Sequence, residues 1–182
     1  MEILDSLDTL PGMVVNARYD VIARNRAHAN LIHDWHTVPC EARNVLWCCF
    51  CDPEVRTRFV NFDDEAPHLV ATLRASSAQH LDEPGWTEFI SRLSGRSAAF
   101  AELWKRHEVA SPGPRLKPFR HPVVGDLLFT ATSLAVSGVP EHRILVYTPY
   151  DSQTRGKLPL PDAGQGLIGR PGERPDLGPA RS

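Results

Sequence analysis

Leu116-Lys117-Pro118-Phe119-Arg120, the turn His121-Pro122-Val123-Val124-Gly125, and the run Asp126-Leu127-Leu128-Phe129-Thr130-Ala131-Thr132-Ser133-Leu134-Ala135-Val136 decide the fold. Both runs are rich in β-forming residues and are separated by turn residues, so they read as neighbouring antiparallel strands. Ser137-Gly138-Val139-Pro140 turns the chain again, and Arg143-Ile144-Leu145-Val146-Tyr147-Thr148 supplies a third strand. Near the other end, Met13-Val14-Val15 and Val21-Ile22-Ala23 flank the polar Asn16-Ala17-Arg18-Tyr19-Asp20, a second hairpin. The stretch between these strand groups has helical periodicity. The expected class is therefore α+β: an antiparallel sheet of about five strands, two N-terminal and three C-terminal, covered by helices.

Within the helical stretch, Ala27, Leu31 and Trp35 recur every four positions and predict a short amphipathic helix over 25–35. Asp63-Asp64 read as N-cap residues, with Pro67 in the first turn and Ala66, Leu69, Val70 and Leu73 on one stripe running to about Ala78. Trp86, Phe89, Ile90 and Leu93 predict the next helix, with Gly95 as its stop. Ser97 caps another, carrying Phe100, Leu103, Trp104 and His107 and closed by Pro112-Gly113-Pro114. After Tyr150 five prolines and six glycines fall in 32 residues. The expected organisation is a domain over 11–150 and a disordered tail over 151–182.

The 182 residues are 42% hydrophobic and 23% charged, the balance of a globular chain with a core. Lys and Arg total 20 against 22 Asp and Glu, a net charge of −2, which argues against this chain gripping DNA or RNA unaided. The longest apolar stretches fall short of the roughly 20 residues of a membrane span, and Glu2 and Asp5 occupy positions where a secretory signal carries positive charge. A cytoplasmic protein with no membrane segment is expected. Cys40, Cys48, Cys49 and Cys51 crowd into twelve residues, unlike a disulfide framework, so reduced thiols are expected.

No G-x-G-x-x-G, G-x-x-x-x-G-K-[ST] or G-x-S-x-G pattern occurs, which argues against nucleotide hydrolysis and serine-hydrolase chemistry. The histidines are scattered, and Asp63-Asp64-Glu65 reads as a helix N-terminus favoured by the macrodipole. His33, His36 and Cys40, followed by Cys48, Cys49 and Cys51, form the one set suited to a metal or redox sensor. Their spacing is poor for a tetrahedral site, and the thiols serve equally as small apolar core residues. The aromatic stripes Trp86/Phe89 and Phe100/Trp104, with Phe50, Phe59 and Phe62, read as core or as the wall of an apolar cavity. Arg43 or Arg74 beside such a wall would suit an acid with an apolar tail, because a guanidinium fork matches a carboxylate. As ordinary surface residues, the same arginines need no ligand.

Several motifs, taken in order, resemble the ligand-binding domain of MmyB-like transcription regulators. They are Leu10-Pro11-Gly12-Met13-Val14-Val15-Asn16, Asp20-Val21-Ile22-Ala23-Arg24-Asn25, Arg43-Asn44-Val45-Leu46 and Phe50-Cys51-Asp52-Pro53. Leu69-Val70-Ala71-Thr72-Leu73-Arg74, the stretch from Ser97 to Val109, Phe119 to Leu127 and Leu145-Val146-Tyr147-Thr148-Pro149 follow, so the resemblance spans about residues 4 to 150. It implies a PAS-like fold enclosing a pocket for a fatty acid or similar apolar effector, without enzymatic activity. It also implies an XRE-type helix-turn-helix ahead of this domain. On this resemblance the chain begins inside a connector helix over 1–10, carrying Leu4, Leu7 and Leu10, so the expectation is either a start placed too far downstream or a solitary sensor domain; in both cases DNA is reached only through a helix-turn-helix outside this sequence, and occupancy is passed on by the connector and homodimer contacts. Cys48, Cys49 and Cys51 depart from the family's usual aliphatic residues. The expected ligand-binding residues are Phe50, Leu73, Leu93, Phe100 and Trp104, with Arg74 or Arg43 as carboxylate partner; no cofactor or metal is expected. A Cys/His-based metal or redox sensor is the alternative.

Overall fold

A computed structural model describes residues 2–32, 43–106, 115–139 and 141–162. Strands β1 (Gly12–Val15) and β2 (Val21–Arg24) form the N-terminal hairpin. Its turn is closed by Asn16, whose Oδ1 accepts from the backbone N–H of Arg18 and of Asp20 at 3.0 and 2.9 Å, while its Nδ2 donates to Asp20. Such local side-chain bonds substitute for a tight backbone turn. Strands β3 (Arg115–His121), β4 (Gly125–Ala135) and β5 (Arg143–Pro149) form the C-terminal meander. The two groups join through antiparallel pairing of β1 with β5, from Gly12 opposite Val146 to Val15 opposite Arg143. The sheet runs β2-β1-β5-β4-β3, and its five antiparallel strands with helices are the α+β arrangement expected from the sequence.

The helices are α1 (Glu2–Asp5), α2 (Arg26–Leu31), α3 (Val45–Cys51), α4 (Pro53–Thr57), α5 (Phe62–Ser77), α6 (Pro84–Arg96), α7 (Ala98–Lys105) and α8 (Ser152–Gly156). Short side chains set most of their starts: Asn25, Asn44, Asp52, Ser97 and Asp151 each accept from a backbone N–H of the following turn. Asn25 also accepts from Gly12 N–H and donates to the carbonyls of Leu4 and Leu10, which ties the N-terminal segment to β1 and α2.

Several boundaries differ from expectation. Helix α5 starts one turn's edge earlier: Asn61 is its N-cap residue, without a side-chain cap bond, and Asp63 and Asp64 lie inside the first turn, where the helix dipole favours them. Gly95 lies within α6, and the helix ends instead because Ser97 turns extended and starts α7. The third concerns the chain after Tyr150, expected to be disordered. Through Asp162 it continues as structure: α8 forms, Thr154 Oγ1 accepts from Leu128 N–H at 2.9 Å, and Leu160 is buried against the core. Among the described residues the helix expected over 25–35 is present only as α2, which ends at Leu31 with Ile32 as its C-cap, and of the helix expected over 1–10 only α1 (Glu2–Asp5) forms; Trp35, His107 and the tail beyond Asp162 lie outside the described residues. Among the described residues no helix is long and apolar enough to cross a membrane.

Candidate functional site

Period-two alternation turns Arg115 and Lys117 of β3, Ala131 and Ser133 of β4, Arg143, Leu145 and Tyr147 of β5, and Met13 of β1 to the helix-covered face of the sheet. The register sets them in rows: Arg115 opposite Ala131 opposite Tyr147, and Ser133 opposite Leu145 opposite Met13. Helix α5 lies over these rows with His68, Leu69 and Thr72. Ala131 and Ser133 are too small to fill the space beneath it. The result is a cavity of about 490 Å³, closed further by Val45 and Tyr19, within the size range of small-molecule sites. Its body is apolar (Met13, Val45, Leu69, Leu145) and its rim carries Arg115, Lys117, Arg143 and His68.

The charges of the rim are not equivalent. Glu65 of α5, its side chain 3% exposed, accepts from Arg115 Nε and Nη2 at 3.0 and 2.8 Å and from Lys117 Nζ. Burial works to raise the Glu65 carboxyl, but the hydrogen bonds and charges of Lys117 and Arg115 outweigh it and hold the group below the usual carboxylate range. Arg143 lies over the ring of Tyr19, 5.3 Å from its centroid. Its Nη2 and the Nδ1 of His68 are buried without a hydrogen-bond partner among the described residues. Burial, together with the charges of Arg115 and Lys117, lowers the pKa of His68.

None of the seven residues expected from sequence lines this cavity. Phe50, Leu73, Leu93, Phe100 and Trp104 instead meet one another in a neighbouring cluster. Phe100 stands edge-on to Phe50, with centroids 5.4 Å apart, and is stacked on Trp104 at 5.8 Å. Leu73, Leu93 and Phe100 have no exposed surface. Arg74 lies over Trp104, 4.1 Å from the ring centroid, and donates to the Trp104 carbonyl. The Arg43 carbonyl accepts from Val21 N–H at the edge of the hairpin. A usable signal for the observed cavity was present in the strands. On a period of two, Arg143 shares a face with Leu145 and Tyr147, and the residues paired with these three on the adjacent strand are all small: Ala135, Ser133 and Ala131.

The alternative cysteine-histidine set is split. His33, His36 and Cys40 lie outside the described residues, and among the described residues no three His, Cys, Asp or Glu side chains are placed to hold a metal ion. Cys48 packs with Phe119 and Tyr147, whereas Cys49 packs with Phe62 and Ala66. Burial, with Asp52 nearby, pushes the Cys48 thiol up to about 12, and burial also raises Cys49 and Cys51. These thiols are held in the protonated form, which is a poor ligand and nucleophile.

Residues 1–160 match the family of the MmyB-like transcription regulator ligand binding domain. The match extends ten residues past Tyr150, over the stretch that α8 and Leu160 join to the core. No curated protein matches the chain.

Proposed function

The chain belongs to the family of MmyB-like transcription regulator ligand-binding domains, and from that premise we propose that it is a non-enzymatic sensor whose effector is an apolar small molecule such as a fatty acid. The observation that carries this reading is the cavity between α5 and the sheet, apolar in its body and cationic at its rim. Burying an acyl chain there contributes about 0.8 kcal/mol per CH₂, enough to bias a two-state element by several kcal/mol. On this reading the protein works in the cytoplasm, and DNA contact belongs to a helix-turn-helix module of the same regulator, reached through the N-terminal segment and a homodimer. Native mass spectrometry of the purified chain, followed by solvent extraction, tests it. The expected result is a fatty acid-like mass near one per chain, or saturable uptake of added dodecanoate. A chain that carries nothing and takes up no apolar acid contradicts the proposal.

A further inference from the structure

Among the described residues, Arg143 is the cation of this cavity with a buried donor left unsatisfied. Arg115 and Lys117 spend donors on Glu65, whereas Arg143 Nη2 is buried with no hydrogen-bond partner among the described residues. Arg143 also lines a second recess of about 180 Å³, so it stands where that recess adjoins the main cavity. The carboxylate among the recess residues, Glu141, is engaged by His80 Nε2 at 2.7 Å. On the opposite wall, His68 of α5 presents the other unpartnered buried nitrogen of the cavity. A guanidinium nitrogen and an imidazole nitrogen without hydrogen-bond partners among the described residues, beside apolar Leu69 and Leu145, match an anionic head group followed by a hydrocarbon chain.

We propose that the acid group of the effector is seated at Arg143 and His68, its chain running past Leu69 and Leu145 toward Met13, and that its binding draws a proton from solvent onto His68. The inference rests on reading this cavity as the effector site. It differs from the sequence expectation, which placed the carboxylate at Arg74 or Arg43.

The proton coupling follows from the charges around His68. Arg115 and Lys117 face it from β3 and Arg143 from β5, against Glu65 on its own helix, a net positive surrounding that adds to burial in disfavouring the imidazolium. A bound carboxylate reverses that balance and raises the pKa of His68. Because the bound form then holds the proton more tightly than the free form, affinity increases as pH falls through the interval between the two values.

Two probes with the same chain separate the head group from the tail: dodecanoate and dodecanol, titrated into the full chain at pH 7. The expected result is dodecanoate binding about ten- to hundredfold more tightly, the range for a charge-assisted hydrogen bond. Arg143→Gln removes that preference while dodecanol affinity stays at the wild-type level, which also reports an intact fold; Arg143→Lys keeps part of the preference. Calorimetric titration of dodecanoate in two buffers of different ionisation enthalpy shows proton uptake on binding, and His68→Gln abolishes it.

Equal affinity for the two probes in the wild type overturns this inference and leaves the sensor reading standing. If neither probe binds, both fail together. A preference retained in Arg143→Gln contradicts the seat at Arg143, and uptake retained in His68→Gln contradicts the proton site.

Discussion

Phe100→Ala is expected to lower the free energy of unfolding by about 3–5 kcal/mol, the range for removing a buried aromatic ring from a core that closes only partly over the gap. Phe100 has no exposed surface, and its ring is held edge-on by Phe50 and face-on by Trp104. Leu73 of α5 and Leu93 of α6, both fully buried, belong to the same cluster. Helices α3, α5, α6 and α7 all supply residues to this cluster, so the gap cannot be refilled by moving one of them alone. Urea denaturation followed by circular dichroism measures the effect. A loss below about 1 kcal/mol would mean that this side chain faces open space and is a cavity wall rather than packed core.

The second large effect is a loss of stability in mild acid that traces to His28. His28 lies in α2 with no exposed surface, and neither ring nitrogen has a hydrogen-bond partner among the described residues. Burial, reinforced by the charge of Arg24, lowers its pKa from 6.5 to about 3. The unfolded chain therefore takes up a proton below pH 6.5 that the folded chain refuses. The contribution is complete above pH 6.5 and is lost as pH falls toward 3, at about 1.4 kcal/mol per pH unit. By pH 5 the loss from this residue is about 2 kcal/mol. His28→Leu removes the titrating group, and its unfolding free energy is expected to fall less steeply between pH 6.5 and 5 by about one proton's worth. Parallel slopes for the two proteins over this interval would show that His28 is protonated in the folded state. His121 is equally enclosed and burial lowers its pKa as well, but its ring is partnered: Nε2 donates to the Asn30 carbonyl at 3.0 Å, and Nδ1 accepts from Val123 and Val124 N–H. Those partners fix its tautomer and close the β3–β4 turn.

Much of the architecture was legible because it depends on local pattern. The β-forming runs at 13–15, 21–23, 116–120, 126–136 and 143–148 each became a strand, since alternation and flanking turn residues determine where a strand fits. Asn16, Asn25 and Asn44, which the family resemblance picked out within its motifs, prove to be turn and cap residues holding the hairpin, α2 and α3 in place. The pairing of β1 with β5 comes from packing between distant parts of the chain, and no local signal encodes it. The tail misled for a related reason. Its proline and glycine content reads as disorder, yet Asp151 caps α8 locally, Leu128 N–H donates to Thr154 Oγ1, and Asn30 Nδ2 donates to the Leu160 carbonyl at 2.7 Å, the last two being contacts that appear only when β4 and α2 are beside it.

The candidate site was less legible. Aromatic residues at helical spacing attract attention as pocket walls, but large rings on adjacent helices fill the space between them, as Phe50, Phe100 and Trp104 do. The cavity arises where side chains are small, at Ala131 and Ser133 below α5, and small residues carry no chemical signal of their own. Arg143 was overlooked because a cation at the start of a strand is ordinarily solvated. Period-two alternation puts it on the face of Leu145 and Tyr147, but only the sheet register shows that the residues beside that face are small and leave a cavity.

The most direct test of the central claim, that the effector occupies the cavity between α5 and the sheet, is methyl NMR of the chain labelled at Met and Leu and titrated with dodecanoate. The account predicts saturable shifts centred on Met13, Leu69 and Leu145, with Leu73 and Leu93 little changed. Shifts centred on Leu73 and Leu93 would move the effector into the aromatic cluster and contradict the account.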